Sequence, residues 1–171
     1  MTVLDIKLFP NPVLRKKAEP VKVVTNDIIS VLNDMAETMY DAPGIGLAAN
    51  QVGILKRLVV MDCSTDDEDP NLTKMINPEI IFSSTEISEL EEGCLSIPEH
   101  KSIVKRPSKI KVRFLNTKGS EEIIDAEGLL SACIQHEIDH LNGVLFVDHI
   151  SRLKRDIILR KVKKQIRENE K

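Results

Sequence analysis

The chain has 171 residues, 42% of them hydrophobic and 30% charged, with a formal net charge of −3, a length that suits one domain better than two. Apolar content of this order excludes general disorder, and no run approaches the roughly 18 uninterrupted apolar residues of a membrane helix. With five aromatic residues and no Trp, the core has to be aliphatic. In chain order, Pro10, Pro12 and Pro20 punctuate an irregular arm with a short turn at Val13–Lys17. A helix follows from about Asn26 to Asp41, with Asn26 as its cap and Ile28, Leu32, Met35 and Met39 at helical spacing. Residues 57–63 read as a buried strand, followed by an acidic loop at 65–71. Further β-rich runs lie at 76–88, 101–105, 109–115 and 121–126, and a helix spans Gly128 to Asn142 before the stop at Gly143. Ser151 caps a last helix with an apolar stripe of Leu153, Ile157, Val162 and Ile166. Strands between helical ends indicate an α+β fold.

Residues 152–171 hold nine Lys or Arg against three Asp or Glu, while the rest of the chain is acidic. Such a tail is either a solvated helix end or a contact for an anionic partner such as RNA. Cys63, Cys94 and Cys133 are odd in number and widely spaced, and no basic-then-apolar leader opens the sequence. A reduced, cytoplasmic setting is the expectation.

The sharpest local signal is His136-Glu137-Ile138-Asp139-His140. On a helix, residues i and i+4 share a face, so both imidazoles reach one metal ion, and the intervening Glu137 can act as general base. A catalytic metal needs a third ligand and an open position. The usual zinc-protease extensions fail: the position for a third His is Phe146, and a downstream helical Glu would have to be Glu168, which sits in the basic tail. A thiolate becomes the natural candidate, and Cys94 lies in Glu92-Gly93-Cys94-Leu95-Ser96, where Gly93 allows close backbone approach. Gly44-Ile45-Gly46-Leu47-Ala48-Ala49-Asn50-Gln51 offers exposed main-chain groups for an extended peptide, although Gly-x-Gly after a helix is also a common turn.

Taken in order, GIGLAANQ (44–51), EGCLS (92–96) and QHEIDHLNG (135–143) resemble the motifs of the peptide deformylase family. The likeness covers the whole chain, 1–171, as a single domain, and the long last helix is similar to that of Gram-negative bacterial members. The resemblance implies short antiparallel strands around a central HExxH helix. It also implies a hydrolase that removes the formyl group from N-formylmethionyl peptides. On that resemblance Cys94, His136 and His140 are metal ligands, Glu137 is base and then acid, and Gln51 with the Leu95 N–H binds the oxyanion. Ile45, Gly46 and Gly93 align the peptide, while Leu129 and Cys133 border the methionine pocket. The implied metal is Fe(2+) in cells, with Zn(2+), Ni(2+) or Co(2+) in purified protein. A monomer that meets the ribosome through its basic last helix is a further implication.

The alternative, an HExxH metallopeptidase cutting internal bonds, lacks its third His. Two positions depart from common family patterns: Glu99 stands where glycine is frequent, and Lys101 where arginine is frequent. Cys133 reads as pocket lining or plain core, Cys63 as core, and His100 and His149 as structural or exposed. Asp139 either orients a ligand histidine or is a solvated carboxylate.

Overall fold

The computed structural model describes residues 2–170. Helix α1, Asn26–Asp41, is capped by Thr25, whose Oγ1 accepts from the Ile28 N–H at 3.3 Å. The cap is therefore one residue earlier than the sequence suggests. Asn26 already has helical geometry, and Thr25 has the extended backbone that a cap requires. Ile28, Leu32, Met35 and Met39 are buried, as their spacing demands.

Five strands form an antiparallel sheet in the order β1-β2-β3-β6-β7. They are β1 (Gly46–Ala48), β2 (Leu58–Met61), β3 (Thr73–Ser83), β6 (Lys109–Leu115) and β7 (Glu121–Glu127). Alternation along β2 sends Val59 and Met61 to one face and Leu58 and Val60 to the other. The first face packs on helix α2 (Gly128–Leu141) through Ile134, Ile138 and Leu141, and the second on α1. The sheet thus lies between the two helices, and α2 is covered almost all round. No helix among the described residues is long and apolar enough to cross a membrane.

The β run expected at 76–88 is broken: β3 ends at Ser83, and β4 (Ile87–Cys94) leaves to pair with β5 (Ile97–Pro107) as a separate hairpin. Leu95 and Ser96 turn the hairpin. Pairing runs from Ile87↔Pro107 to Gly93↔Lys101 and then jumps to Cys94↔Ile97, so Pro98, Glu99 and His100 bulge from β5. Glu99 occupies the left-handed region at φ 70°. Glycine adopts that conformation without strain, so this is the physical meaning of the Glu99 departure.

Behind the hairpin, Ile97 and Val104 join Leu145, Phe146, Val147, Ile158 and Val162 in a third apolar cluster. This cluster seats helix α3, Arg152–Asn169, capped by Ser151 Oγ at Lys154 N. Its buried stripe is Ile158 and Val162 with Leu159 and Ile166 beside them, whereas Leu153 is 70% exposed and Ile157 41% exposed. A period of 3.6 allows either phase, and the hairpin selects the one it can cover.

Candidate active site

Helix α2 carries His136 and His140 on one face, with their Nε2 atoms 3.1 Å apart. The end of β4 brings Cys94 Sγ to 3.3 Å from His140 Nε2. The three donor atoms lie within 4.8 Å of one another. His136 Nδ1 donates to Glu92 Oε1 at 3.0 Å, which turns the lone pair of Nε2 toward Cys94 and His140. Protonation shows what this space favours. Burial works against a charge on His136, yet hydrogen bonding to Cys94 and Glu92 holds it well above the usual imidazole range. His140 is pushed well down by burial and by the positive charge of His136. One positive charge between two imidazoles and a thiol is the arrangement that a divalent cation satisfies, and two imidazoles with a thiolate suit zinc or a late first-row ion.

Glu92 is itself fixed. Arg106 donates to both of its oxygens, Nε to Oε2 at 2.6 Å and Nη2 to Oε1 at 2.9 Å. Burial opposes ionisation of Glu92, but the hydrogen bonds from His136 and Arg106 prevail and hold it at about 2. Arg106 Nη1 reaches Asp139 Oδ2 at 2.9 Å, where His149 Nε2 also donates at 2.8 Å. Asp139 therefore belongs to the support of the site, and the exposed His149 reaches it from the surface. Sequence reasoning missed Glu92 and Arg106. Glu92 sat in plain view next to Gly93, but nothing in the sequence marks Arg106, because its role comes from strand pairing.

Glu137 is buried beside the three donors, Oε1 lying 3.9 Å from His136 Nε2 and Oε2 having no hydrogen-bond partner among the described residues. Burial above all, aided by the Glu92 and Asp139 charges, lifts its carboxyl to about 7 against the pull of His136 and Arg106. A cation held by the three donors would draw it down again. Gln51 Oε1 accepts from the Ala48 N–H at 3.0 Å, and this orients Nε2 toward Cys94 Sγ at 3.5 Å and Ser96 Oγ at 3.1 Å. An amide donor thus faces the centre.

A cavity of about 690 Å³ opens above these groups. Ile45, Gly46, Gln51, Gly93, Cys94, Leu95, Leu129, Cys133, His136 and Glu137 all line it. Only His140, fully buried, lies beneath its floor. Gly46 is there for space. A Cβ on it would stand 2.9 Å from both Cys133 Sγ and Glu137 Oε1. Residue Phe146, where a zinc-protease pattern would need a ligand, is buried and stacks on His136 with ring centroids 6.4 Å apart. Glu168 is exposed near the end of α3.

The sequence model of the family described as polypeptide deformylase matches residues 3–156. A protein named peptide deformylase from Rhizobium meliloti (strain 1021) is 51% identical over 164 residues, covering 96% of this chain and 94% of the relative. Another of that name, from Bradyrhizobium diazoefficiens, is 52% identical over 168 residues, with 96% and 97% covered. Among solved structures, peptide deformylase from Ehrlichia chaffeensis superimposes with a TM-score of 0.94 at 41% identity, covering 99% of this chain and 100% of that one. The same organism's enzyme in complex with actinonin gives 0.91 at 43% identity, with 96% and 98% covered.

Proposed function

As the chain belongs to the polypeptide deformylase family, we propose that this site removes the formyl group from the N-terminal formylmethionine of nascent polypeptides and releases formate. The observation that supports it best is the unpartnered oxygen of Glu137 beside Cys94, His136 and His140, with the Gln51 amide facing the same space.

Cys94, His136 and His140 would hold one divalent ion, with Fe(2+) as the cellular metal and Zn(2+), Ni(2+) or Co(2+) as substitutes in purified protein. Such an ion, when bound, lowers the pKa of a water in its open position and polarises the formyl carbonyl. Glu137 takes the proton of the attacking water on its carboxylate and returns it to the departing amine, so one group serves as base and then as acid. The Gln51 amide and the Leu95 backbone N–H stabilise the developing oxyanion, where loss of one donor typically costs about 2.7–4 kcal/mol of barrier. Main-chain groups of Ile45, Gly46 and Gly93 align the peptide as an added strand. Leu129 and Cys133 border an uncharged pocket for the methionine side chain.

The test is Glu137→Ala. Metal content measured anaerobically should match the unaltered protein, while formate release from a formyl-Met peptide falls by roughly 10²–10⁴-fold. Full activity in this variant would refute the assignment, and the same metal analysis identifies the ion.

We also infer that residues 1–171 act as one cytoplasmic, monomeric unit that meets the ribosome through the basic face of α3. Removing residues 152–171 should abolish co-sedimentation with ribosomes. Unchanged co-sedimentation would exclude that contact.

A further inference from the structure

We propose that His149 is a positioning residue for the metal centre. From the surface it fixes the Asp139 carboxylate, and through Arg106 and Glu92 it sets how firmly His136 is aimed at the ion. The inference rests on Cys94, His136 and His140 as the metal ligands, and not on which reaction the centre performs.

The hydrogen bonds beneath the site close into a ring. Asp139 and His136 stand three residues apart on α2 and so share a face. Asp139 Oδ2 accepts from Nη1 of Arg106, on β5, at 2.9 Å. Arg106 Nε and Nη2 grip Glu92, on β4, at 2.6 and 2.9 Å. Glu92 Oε1 then accepts from His136 Nδ1 at 3.0 Å, which returns the ring to α2. This ring lashes the β4–β5 hairpin to the helix. It thereby holds Cys94, two residues beyond Glu92, against the two imidazoles.

Asp139 is the weak member of the ring. The side chains of Arg106 and Glu92 are 6% and 8% exposed, but that of Asp139 is 24% exposed, so water competes with Arg106 for its oxygens. His149 opposes that competition, because its Nε2 donates to the same Oδ2 at 2.8 Å. Its own place is well fixed. It ends a single 3-10 turn, Phe146–His149, in which Phe146 is buried and stacks on His136. In the same turn Asp148 Oδ2 accepts from the Leu145 N–H at 2.9 Å. One short element therefore reaches His136 twice, directly through a ring and indirectly through the polar chain. A pair as open to solvent as His149 and Asp139 adds little to stability. Its effect falls instead on the orientation of a ligand, and such partners act on metal affinity. Nothing in the proposed mechanism uses His149.

The experiment loads the protein with Co(2+) and follows transfer of the metal to a chelator. Beside it are recorded the visible spectrum of the bound cobalt and the thermal midpoint of the metal-free protein. His149→Phe keeps an aromatic ring and loses the donor, whereas His149→Gln keeps an amide N–H at nearly the reach of Nε2. The Phe variant should lose cobalt about tenfold faster, at the lower end of what an orienting partner contributes, with an altered cobalt spectrum. The Gln variant should restore both. Metal-free midpoints should agree within a few degrees for all three proteins. In an Asp139→Ala background, His149→Phe should change nothing further, because the two side chains act in series. Should Asp139→Ala not fold, the Phe and Gln variants alone decide the question. Cobalt loss at the parent rate in the Phe variant would overturn the proposal. So would a Gln variant as fast as the Phe variant, or a full Phe effect that persists without Asp139. A parent protein that takes up no cobalt would refute the ligand assignment and this inference together. Formate release by the parent tests the deformylase reading separately, and its absence would leave the cobalt result standing.

Discussion

At the scale of single residues, the site depends on groups with no room to change. Gly46 is the clearest case, since an added Cβ meets Cys133 Sγ and Glu137 Oε1 at 2.9 Å. Gly46→Ala should leave a folded protein with a thermal midpoint within a few degrees of the original, yet lower kcat by about 10²-fold as Glu137 is displaced; formate release measures it. Arg106→Met leaves Glu92 buried with one partner fewer, a change that costs about 3–5 kcal/mol of stability. It also loosens the hold on His136, and metal affinity should fall roughly 10–100-fold in a competitive chelator titration. The clustering of His136, Glu137 and His140 was legible because a helix converts sequence spacing directly into adjacency. The support beneath them was not, because Arg106 reaches Glu92 through the Ser88↔Arg106 end of a hairpin whose partners are set by folding.

At the scale of elements, the ends of α1 and β2 are latched by a charge. Asp62, just past β2, accepts from Tyr40 Oη of α1 at 2.6 Å, from the Ser64 N–H at 3.0 Å, and from the Asn71 N–H at 3.2 Å. Burial raises its carboxyl, but these hydrogen bonds together with the Ser64 hydroxyl lower it to about 2. The folded value lies below the unfolded value of about 3.9, so the folded state binds this proton less readily. The latch is therefore fully present above pH ~4 and weakens as pH falls toward 2. Asp62→Asn should be less stable than the parent at pH 7, and the gap in thermal midpoint should close on acidification through that window. Helices α1, α2 and α3 and strands β6 and β7 follow closely from spacing and turn residues. The break between β3 and β4 does not, since Ser84, Thr85 and Glu86 carry no glycine or proline to mark it. The phase of α3 was likewise set by what the hairpin covers rather than by its own sequence.

At the scale of the whole molecule, the sheet between α1 and α2 brings together three segments far apart in sequence. β1 supplies Gly46 and leads to Gln51, the end of β4 and the turn after it supply Cys94 and Leu95, and α2 supplies the rest. The basic helix α3 is not remote from this centre. Its Gln165 donates to Glu99 at 3.1 Å and meets His100 at 3.2 Å, so it holds the bulge of β5 that forms one side of the cavity mouth.

The cavity has an unequal tolerance to change from floor to mouth. Its floor consists of Cys94, His136, Glu137, the Gln51 amide and a glycine with no room for a side chain. Its mouth includes Leu129, 48% exposed, and Ile45, 45% exposed, with Glu99 and Lys101 beside them. Under selection by an inhibitor that fills the cavity, viable resistance substitutions should collect at those mouth positions. A compound confined to the floor would leave the protein few ways to escape it.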